Sequence, residues 1–399
     1  DFPSWVRFNA AHPAVTRGAT SDTPKVFIHT AREETWTGSV LAIRVARLVS
    51  LLFGALTVLG VYRAGRLVTG RDDLAVLSAA IIAFTPQFVY LCAVVNNDSL
   101  AAATSVWVGV ASLQISNLKF QISRRCAIGA GVVLGLGLLS KLGGLILIPL
   151  VGTSLVIRAL RRWPHLKFDI WHLMFDALVI LGVAAFISGW WFARNVLLYG
   201  DPLGWSVWLS DIGVRTPTPS LWQLGPELPA LFRTYWFGLP GLPLSGSIYF
   251  ILAIVALVAS VGVLYSLASA LRRPAFLKFD GWNLILVLVW VGIVFAGVLR
   301  YMQTTPAAQG RLLFPALAPI GIFLGLGLSA WSKRVALAAI FVMGLFVLTL
   351  ASPFVLIRPA FARPVIAQLP ADVQPAQTHF GDQIELVGVR LAADHIGPG

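Results

Sequence analysis

Long apolar stretches recur from about residue 39 to residue 357, and they constrain the fold of this chain more than any other feature. Most of them approach or exceed the roughly 20 residues that an α-helix needs to cross the hydrocarbon core of a bilayer. Only 12% of the 399 residues are charged, about half of the roughly 25% that a soluble domain carries. The sequence therefore predicts an all-α, polytopic transmembrane bundle and excludes a water-soluble enzyme, a disordered chain and a coiled coil.

We predict about ten spans. Eight of them are Ser39–Val68, Leu74–Val95, Ser99–Ile115, Ala177–Ala193, Ser247–Leu271, Trp282–Leu299, Leu312–Trp331 and Val335–Leu356. The stretch Ala127–Ile157 would be about 46 Å long as one helix. It is either one tilted span or two short helices broken at Ser140–Gly144.

Charge decides between these two alternatives. Arginines flank both ends of the stretch, at Arg124–Arg125 and at Arg158–Arg162. Cytoplasmic loops collect Lys and Arg, so a single span would place one of these clusters on the wrong side of the membrane. We therefore predict a hairpin of two short helices, with both clusters in the cytoplasm and Lys141 near the outer face.

The same rule organises the rest of the chain and accounts for the excess of 30 Lys and Arg over 17 Asp and Glu. Residues 1–38 are predicted to be an external loop segment, residues 39–357 the bundle with an external loop at 194–246, and residues 358–399 an external tail. Because residues 1–38 are predicted to lie outside, one more span should precede Asp1 if the complete protein begins in the cytoplasm, and the absence of Met at position 1 fits this expectation. No basic run is interleaved with aromatic residues, so the predicted partner is the lipid bilayer and not nucleic acid.

Two external segments carry their own signals. The loop at 194–246 is rich in Trp, Pro and Leu, which predicts short helices at the membrane interface. In the tail, His379–Leu391 has the partly alternating, β-branched pattern of a strand. One or two strands do not make a stable sheet. The tail is therefore predicted to be the start of an external β domain.

The ionisable residues at predicted outer helix ends are Asp98, Lys141, Arg194, Arg300 and Arg311, and all of them except Arg300 are the candidates for chemistry. Asp98 is either a helix N-cap or a carboxylate that acts as a base or holds a divalent cation. The three cations are either interfacial anchors or ligands of an anionic lipid headgroup. No histidine has metal-ligand spacing, and no nucleotide-binding or serine-hydrolase motif is present. Together these residues fit a site for a phosphorylated lipid.

Five short motifs then resemble one family. They are the RLVSLLFGALTV segment Arg47–Val58 with Tyr62–Arg66, the segment from Phe84 to Leu100 with its NND turn, Ser140–Lys141, the WWFARN segment with Tyr199–Pro202, and the QGRLLFP segment Gln309–Pro315. In this order they are similar to membrane glycosyltransferases of the GT-C fold, in the group of the protein mannosyltransferases and aminoarabinose transferases (glycosyltransferase family 39-like). The resemblance is to bacterial members of unassigned substrate.

This resemblance implies a hexosyltransferase type of enzyme in the cell membrane. Its donor would be a polyprenyl-phosphate-linked sugar, and its acceptor, a glycan, lipid or protein, would be glycosylated on the extracytoplasmic face. Asp98 matches the second acidic position of the family, and Lys141, Arg194 and Arg311 match basic positions that face the lipid phosphate. The family's usual catalytic acid would precede Asp1. Whether the enzyme uses a divalent cation as a cofactor stays open.

Two other classes of function compete with this interpretation. A transporter or flippase for lipid-linked sugars would also need many spans and external cations, and it predicts inverted repeats and polar residues near the bilayer midplane. Neither feature is clear in the sequence. A non-catalytic membrane scaffold would not explain the Asn-Asn-Asp turn or the series of external cations.

Overall fold

The computed structural model describes residues 36–117, 122–161, 166–238, 242–272, 281–331, 335–360, 374–380 and 384–389. Most of the predicted N-terminal loop and most of the tail lie outside these ranges. The helical bundle forms one compact unit that ends at Leu356, and the residues that follow belong to a second unit.

The bundle is built from thirteen described helices, which are α1 (Gly38–Thr69), α2 (Asp72–Ala83), α3 (Pro86–Ala93), α4 (Asp98–Asn117), α5 (Arg124–Ser140), α6 (Leu147–Arg161), α7 (Leu166–Tyr199), α8 (Trp205–Ile212), α9 (Leu228–Trp236), α10 (Gly246–Arg272), α11 (Gly281–Thr304), α12 (Leu317–Ser329) and α13 (Ala336–Ser352). Three 3₁₀ segments join them, at Leu142–Ile146, Leu221–Glu227 and Gly310–Ala316. A π-turn, Pro353–Ile357, and a short α14, Arg358–Ala360, follow.

Within the described residues, eight helices are long and apolar enough to cross a membrane, and the bent pair α2–α3 raises that number to nine. The tenth predicted span corresponds to α5, which has 17 residues and is short for a crossing by itself. The chain is therefore an all-α, multi-pass membrane protein, as the sequence predicts. The short helices expected in the Trp-rich loop are α8 and α9. That loop begins at Gly200 rather than at Arg194, because α7 continues to Tyr199.

The predicted span Leu74–Val95 corresponds to two helices, α2 and α3, with a bend of 62° between them. Pro86 is the first residue of α3 and has no N–H to donate to the preceding turn. The Thr85 backbone N–H donates to the Ile82 carbonyl at 3.1 Å, and the Thr85 hydroxyl donates to the Ile81 carbonyl at 2.8 Å. The bend therefore breaks the helix where proline chemistry requires it.

The predicted hairpin over Ala127–Ile157 is confirmed. α5 ends at Ser140, and Lys141 is extended, with φ −164° and ψ 148°. The backbone of Gly144 then lies directly against the Gly137 carbonyl, where a side chain would not fit. Residues seven apart in a continuous helix are separated by about 10 Å along the axis. The chain has therefore turned back on itself.

Buried polar contacts show which helix ends lie together. The Asn283 amide donates to the Leu67 carbonyl at 3.1 Å and accepts from the Ser116 hydroxyl at 3.3 Å. This joins the ends of α1 and α4 to the start of α11. Near the start of α7, a buried ion pair joins Arg158 to Asp176 at 2.7 Å. The alternating up-and-down order of the predicted spans is consistent with these contacts.

The second unit contains a two-stranded antiparallel hairpin, β1 (Gln374–Phe380) and β2 (Ile384–Val389). Phe380 pairs with Ile384 and Gln374 with Val389, and the register is irregular between Pro375 and Thr378. A single strand over His379–Leu391 is wrong, since that range takes in the end of one strand and the whole of the next. Its sequence contains Gly381 and Asp382, residue types that are common in turns, and these are the signal that could have separated the two strands.

Candidate active site

The turn between α3 and α4 fixes Asp98 at the first position of α4. The Asn96 side-chain oxygen accepts hydrogen bonds from the backbone N–H groups of Asp98, at 2.8 Å, and Ser99, at 3.2 Å. This is the pattern of an N-cap side chain. The alternative that Asp98 itself caps the helix is therefore wrong, and its carboxylate is left to contact other groups.

The carboxylate of Asp98 contacts two cations that are distant in sequence. Its Oδ1 lies 2.5 Å from Lys141 Nζ, and its Oδ2 lies 3.3 Å from Arg311 Nη1. The Asp98 side chain is 5% exposed, whereas those of Lys141 and Arg311 are 33% and 42% exposed. The carboxylate is thus a buried anion at the start of a helix, where the helix dipole also favours negative charge. The two cations reach it from the solvent-accessible side.

Lys141 is placed by the turn of the hairpin. Because α5 ends at Ser140, the Ser140 carbonyl has no partner in the next helical turn. The Asn97 amide donates to it at 3.0 Å. The Asn-Asn-Asp turn therefore uses one residue to cap α4, one to hold the end of α5 and one to pair with Lys141.

Arg311 is placed by a close approach of two backbones. Gly310 lies against the backbone of Tyr235, so a Cβ at this position would overlap it. The Gly310 N–H donates to Thr234 Oγ1 at 2.7 Å, and Arg311 Nε donates to the Gln309 side chain at 2.8 Å. The glycine of the QGRLLFP motif is thus required for packing, and it fixes the start of the segment that carries Arg311.

Arg194 does not contact Asp98, and it lies with Lys141 in a neighbouring cavity of about 730 Å³. The cavity is lined by the end of α5 and the Lys141 turn, by one face of α7, and by α8 with the turn before it. The Arg194 guanidinium lies 5.1 Å from the centre of the Trp191 ring. In the part of the chain that the structure describes, Arg194 forms no ion pair. It therefore presents an uncompensated positive charge to the cavity.

The rest of the motif around Arg194 has a structural role. The Asn195 amide donates to the Pro202 carbonyl at 3.2 Å, and Gly200 has the left-handed φ of 68° that the turn requires. Asp201 accepts from the backbone N–H groups of Leu203 and Ser206 at 2.9 and 3.0 Å. The Ser206 bond and then the Leu203 bond lower the pKa of Asp201. This turn fixes α8 against the end of α7.

The sequence did not predict the salt bridge between Arg215 and Glu227. Both guanidinium nitrogens Nη1 and Nη2 lie 2.7 Å from the two carboxylate oxygens. The Arg215 N–H also donates to the Thr304 carbonyl at 3.0 Å, and the Gln303 amide donates to the Pro219 carbonyl at 3.0 Å. The segment before α9 is thereby held to the end of α11. No spacing rule relates two charged loop residues that are twelve positions apart.

The described residues contain no cluster of three His, Cys, Asp or Glu side chains that could hold a metal ion. Each oxygen of Asp98 already has a cationic partner. The described ranges therefore add no support to the alternative of a divalent cation at Asp98.

Comparison with known proteins gives one family match. The family of dolichyl-phosphate-mannose-protein mannosyltransferases matches residues 39–190, from α1 to most of α7. This range contains the first three of the five motifs, and the resemblance predicted from the sequence is confirmed there. No curated protein sequence matches the chain.

Two solved structures are similar to this chain. ArnT from Cupriavidus metallidurans bound to undecaprenyl phosphate has 18% identity and a TM-score of 0.48, over 79% of this chain and 53% of that one. The oligosaccharyltransferase AglB from Archaeoglobus fulgidus, in complex with an inhibitory peptide and a dolichol-phosphate, has 18% identity and a TM-score of 0.45, over 79% of this chain and 45% of that one. The chain thus spans about half the length of these proteins.

Proposed function

We propose that this chain is a membrane glycosyltransferase that moves a sugar from a polyprenyl-phosphate donor to an acceptor on the extracytoplasmic face. The observation that carries the proposal is the meeting of Asp98, Lys141 and Arg311 beside a cavity that also contains Arg194. Charged groups are costly near a bilayer, and a cluster of them at one end of an apolar bundle marks a functional site. The family matched over residues 39–190 is named for dolichyl-phosphate-mannose, a sugar linked to a lipid phosphate.

The cations are suited to the phosphate of such a donor. Arg194 has no ionic partner among the described residues, and Lys141 lines the same cavity. A guanidinium binds phosphate oxygens in a bidentate way, and an ammonium adds a point charge. Arg311 contributes positive charge on the other side of Asp98. The site is thus suited to an anionic lipid phosphate more than to a neutral lipid.

The reaction is a displacement at the anomeric carbon of the sugar. The hydroxyl oxygen of the acceptor forms a bond to this carbon, while the bond between the carbon and the donor phosphate oxygen breaks. The electron pair leaves with the lipid phosphate, whose developing charge is stabilised by Lys141 and Arg194. The hydroxyl proton passes to a carboxylate base, which the family resemblance assigns to the first external loop.

Asp98 itself is best suited to position the two cations. A general base needs a free oxygen within hydrogen-bonding distance of the acceptor hydroxyl. Both oxygens of Asp98 are paired, and its side chain is 5% exposed. We therefore propose that Asp98 acts through Lys141 and Arg311, which differs from the catalytic role that the sequence predicts for it.

The distribution of charge supports the extracytoplasmic face. The end of the bundle opposite Asp98 carries Arg63, Arg66 and Arg71 near the end of α1, and Arg124–Arg125 opens α5. This is the concentration of basic residues typical of cytoplasmic loops. The cluster around Asp98 contains a balancing carboxylate and lies at the other helix ends.

The test is a transfer assay with the purified protein, including any segment that precedes Asp1, in detergent with polyprenyl-phosphate-linked sugars. Release of the sugar from the lipid is measured in the presence of membrane extract as the source of acceptor. We expect Arg194→Ala and Lys141→Ala to lower kcat/KM by about a hundredfold, since one contact to a developing charge contributes roughly 2.7–4 kcal/mol. Arg300→Ala is the matched control, because Arg300 is an exposed cation at the end of α11 that does not line the cavity.

Asp98→Asn separates the two roles of Asp98. A positioning role predicts weaker binding of the donor, seen as a raised KM together with a lower kcat. A role as base predicts a lower kcat with an unchanged KM. A wild-type protein that binds the donor without consuming it would contradict the proposed transfer and favour the flippase.

A further inference from the structure

The cavity beside Lys141 contains aromatic groups that the phosphate does not require. Trp191, Arg194, Asn195 and Tyr199 occupy one face of α7, at the spacing of neighbours on a helix. Trp208 lines the opposite wall, from α8. Small-molecule sites typically have such mixed walls of aromatic side chains and few polar groups, with volumes of roughly 300–1,000 Å³. The cavity of about 730 Å³ falls in that range.

The aromatic side chains of the cavity differ in what their faces contact. The face of Trp191 is covered by the Arg194 guanidinium, at 5.1 Å from the ring centre. Trp205, on the same short helix as Trp208, packs edge to face on Tyr301 at 6.2 Å and does not line the cavity. Trp208 lines the cavity and is 41% exposed. Its ring is therefore available to a ligand.

The position of Trp208 is fixed by the turn before it. The backbone N–H of Trp208 donates to the carbonyl of Gly204 at 3.1 Å, and Gly204 has a left-handed φ of 62°. Gly204 lies beside Asn195 and Tyr199 of α7, so the start of α8 packs against the helix that carries Arg194. The two walls of the cavity are thus held together at one side. Arg194, Tyr199 and Trp208 are presented to the same space.

We propose that Trp208 and Tyr199 form the sugar-binding part of this cavity, and that they stack on the ring of the donor sugar while Arg194 and Lys141 hold its phosphate. This inference rests on the proposed function. The faces of a pyranose ring present C–H bonds with a small positive charge, and the face of an aromatic ring is negative. The phosphate oxygen is bonded directly to the anomeric carbon, so the two subsites must adjoin. They do, since Arg194 and Trp208 line one cavity.

The experiment compares a sugar-free lipid phosphate with lipid phosphates that each carry one sugar. The affinity of the purified full chain is measured for undecaprenyl phosphate and for the same lipid phosphate carrying glucose, mannose, galactose or arabinose. We expect Trp208→Ala to weaken binding of the best sugar-bearing lipid about tenfold. Binding of the sugar-free lipid should change by less than about twofold, within the scatter of surface substitutions. Trp208→Phe keeps an aromatic face and should lose less affinity than Trp208→Ala.

Trp222→Ala is the matched control, because Trp222 lies in the same external loop, is 93% exposed and does not line the cavity. It should bind both lipids as the wild type does. Equal loss of affinity for both kinds of lipid in Trp208→Ala would overturn the sugar subsite. Failure of the wild type to bind either lipid would overturn the proposed function instead. Arg194→Ala distinguishes the subsites further, since it should weaken binding of both lipids.

Discussion

The pairing of Lys141 with Asp98 should be measurable as a coupling of stability between two residues that are 43 positions apart. At an effective dielectric constant of about 20, charges separated by 2.5 Å attract by about 7 kcal/mol, and those separated by 3.3 Å by about 5 kcal/mol. Desolvation offsets most of this attraction. Removing one partner of a fully buried pair costs about 3–5 kcal/mol. Because Lys141 is one-third exposed, we expect Lys141→Met to cost about 2–3 kcal/mol.

Arg311→Met should cost less, about 1 kcal/mol, since Arg311 is more exposed and farther from the carboxylate. For a chain of 399 residues, 1 kcal/mol corresponds to about 1 °C in Tm. The assay is thermal unfolding of the purified chain in detergent for Lys141→Met, Asp98→Asn and the double variant. The double variant should lose less than the sum of the single losses, with a coupling of about 1–3 kcal/mol. Additive losses would refute the pairing. Arg300→Met should shift Tm by less than about 1 °C.

Three further predictions follow from other contacts. In intact cells, Trp222→Cys should react with an impermeant thiol reagent. The exposed native Cys126 at the start of α5 should react only after permeabilisation. The reverse labelling would contradict the predicted orientation. Asn96→Ala should lower stability by about 1 kcal/mol in thermal unfolding, because two N–H groups of α4 lose their acceptor, and an unchanged Tm would exclude the cap. Arg158→Met should lower the free energy of unfolding by about 3–5 kcal/mol, because it leaves the Asp176 carboxylate buried without its partner. Adding Asp176→Leu should restore much of that loss. If the double variant recovers no stability, the buried carboxylate is not what destabilises the single variant.

Features of the sequence that act over about 20 residues predicted most of the fold. Span length, the positive-inside rule and the pair Gly143–Gly144 together predicted the hairpin around Lys141, and that hairpin is what brings Lys141 to Asp98. The same alternation placed Asp98, Lys141 and Arg311 at one end, and the contacts among them are consistent with it. Pro86 indicated the bend between α2 and α3, but the continuous hydropathy of Leu74–Val95 suggested one uninterrupted span.

Other features depend on geometry that no pattern of residue types contains. Asn96 and Asp98 are both good cap residues, and the choice of Asn96 follows from the path of the turn. Arg194 and Arg311 looked equivalent in sequence, but the structure pairs Arg311 with Asp98 and leaves Arg194 to the cavity. Trp208 differs from Trp205 by one turn of α8, and their contacts with other helices determine which of them lines the cavity.

The most direct test of the account is an experimental structure of the full chain with a polyprenyl phosphate bound. We predict that the phosphate lies in the cavity between α5, α7 and α8, with its oxygens about 3 Å from the Arg194 guanidinium and the Lys141 ammonium, as charge-assisted hydrogen bonds require. The Asp98 carboxylate should still contact Lys141 or Arg311 in this complex. A phosphate bound elsewhere on the bundle, or a cavity filled only by the prenyl chain, would contradict the account.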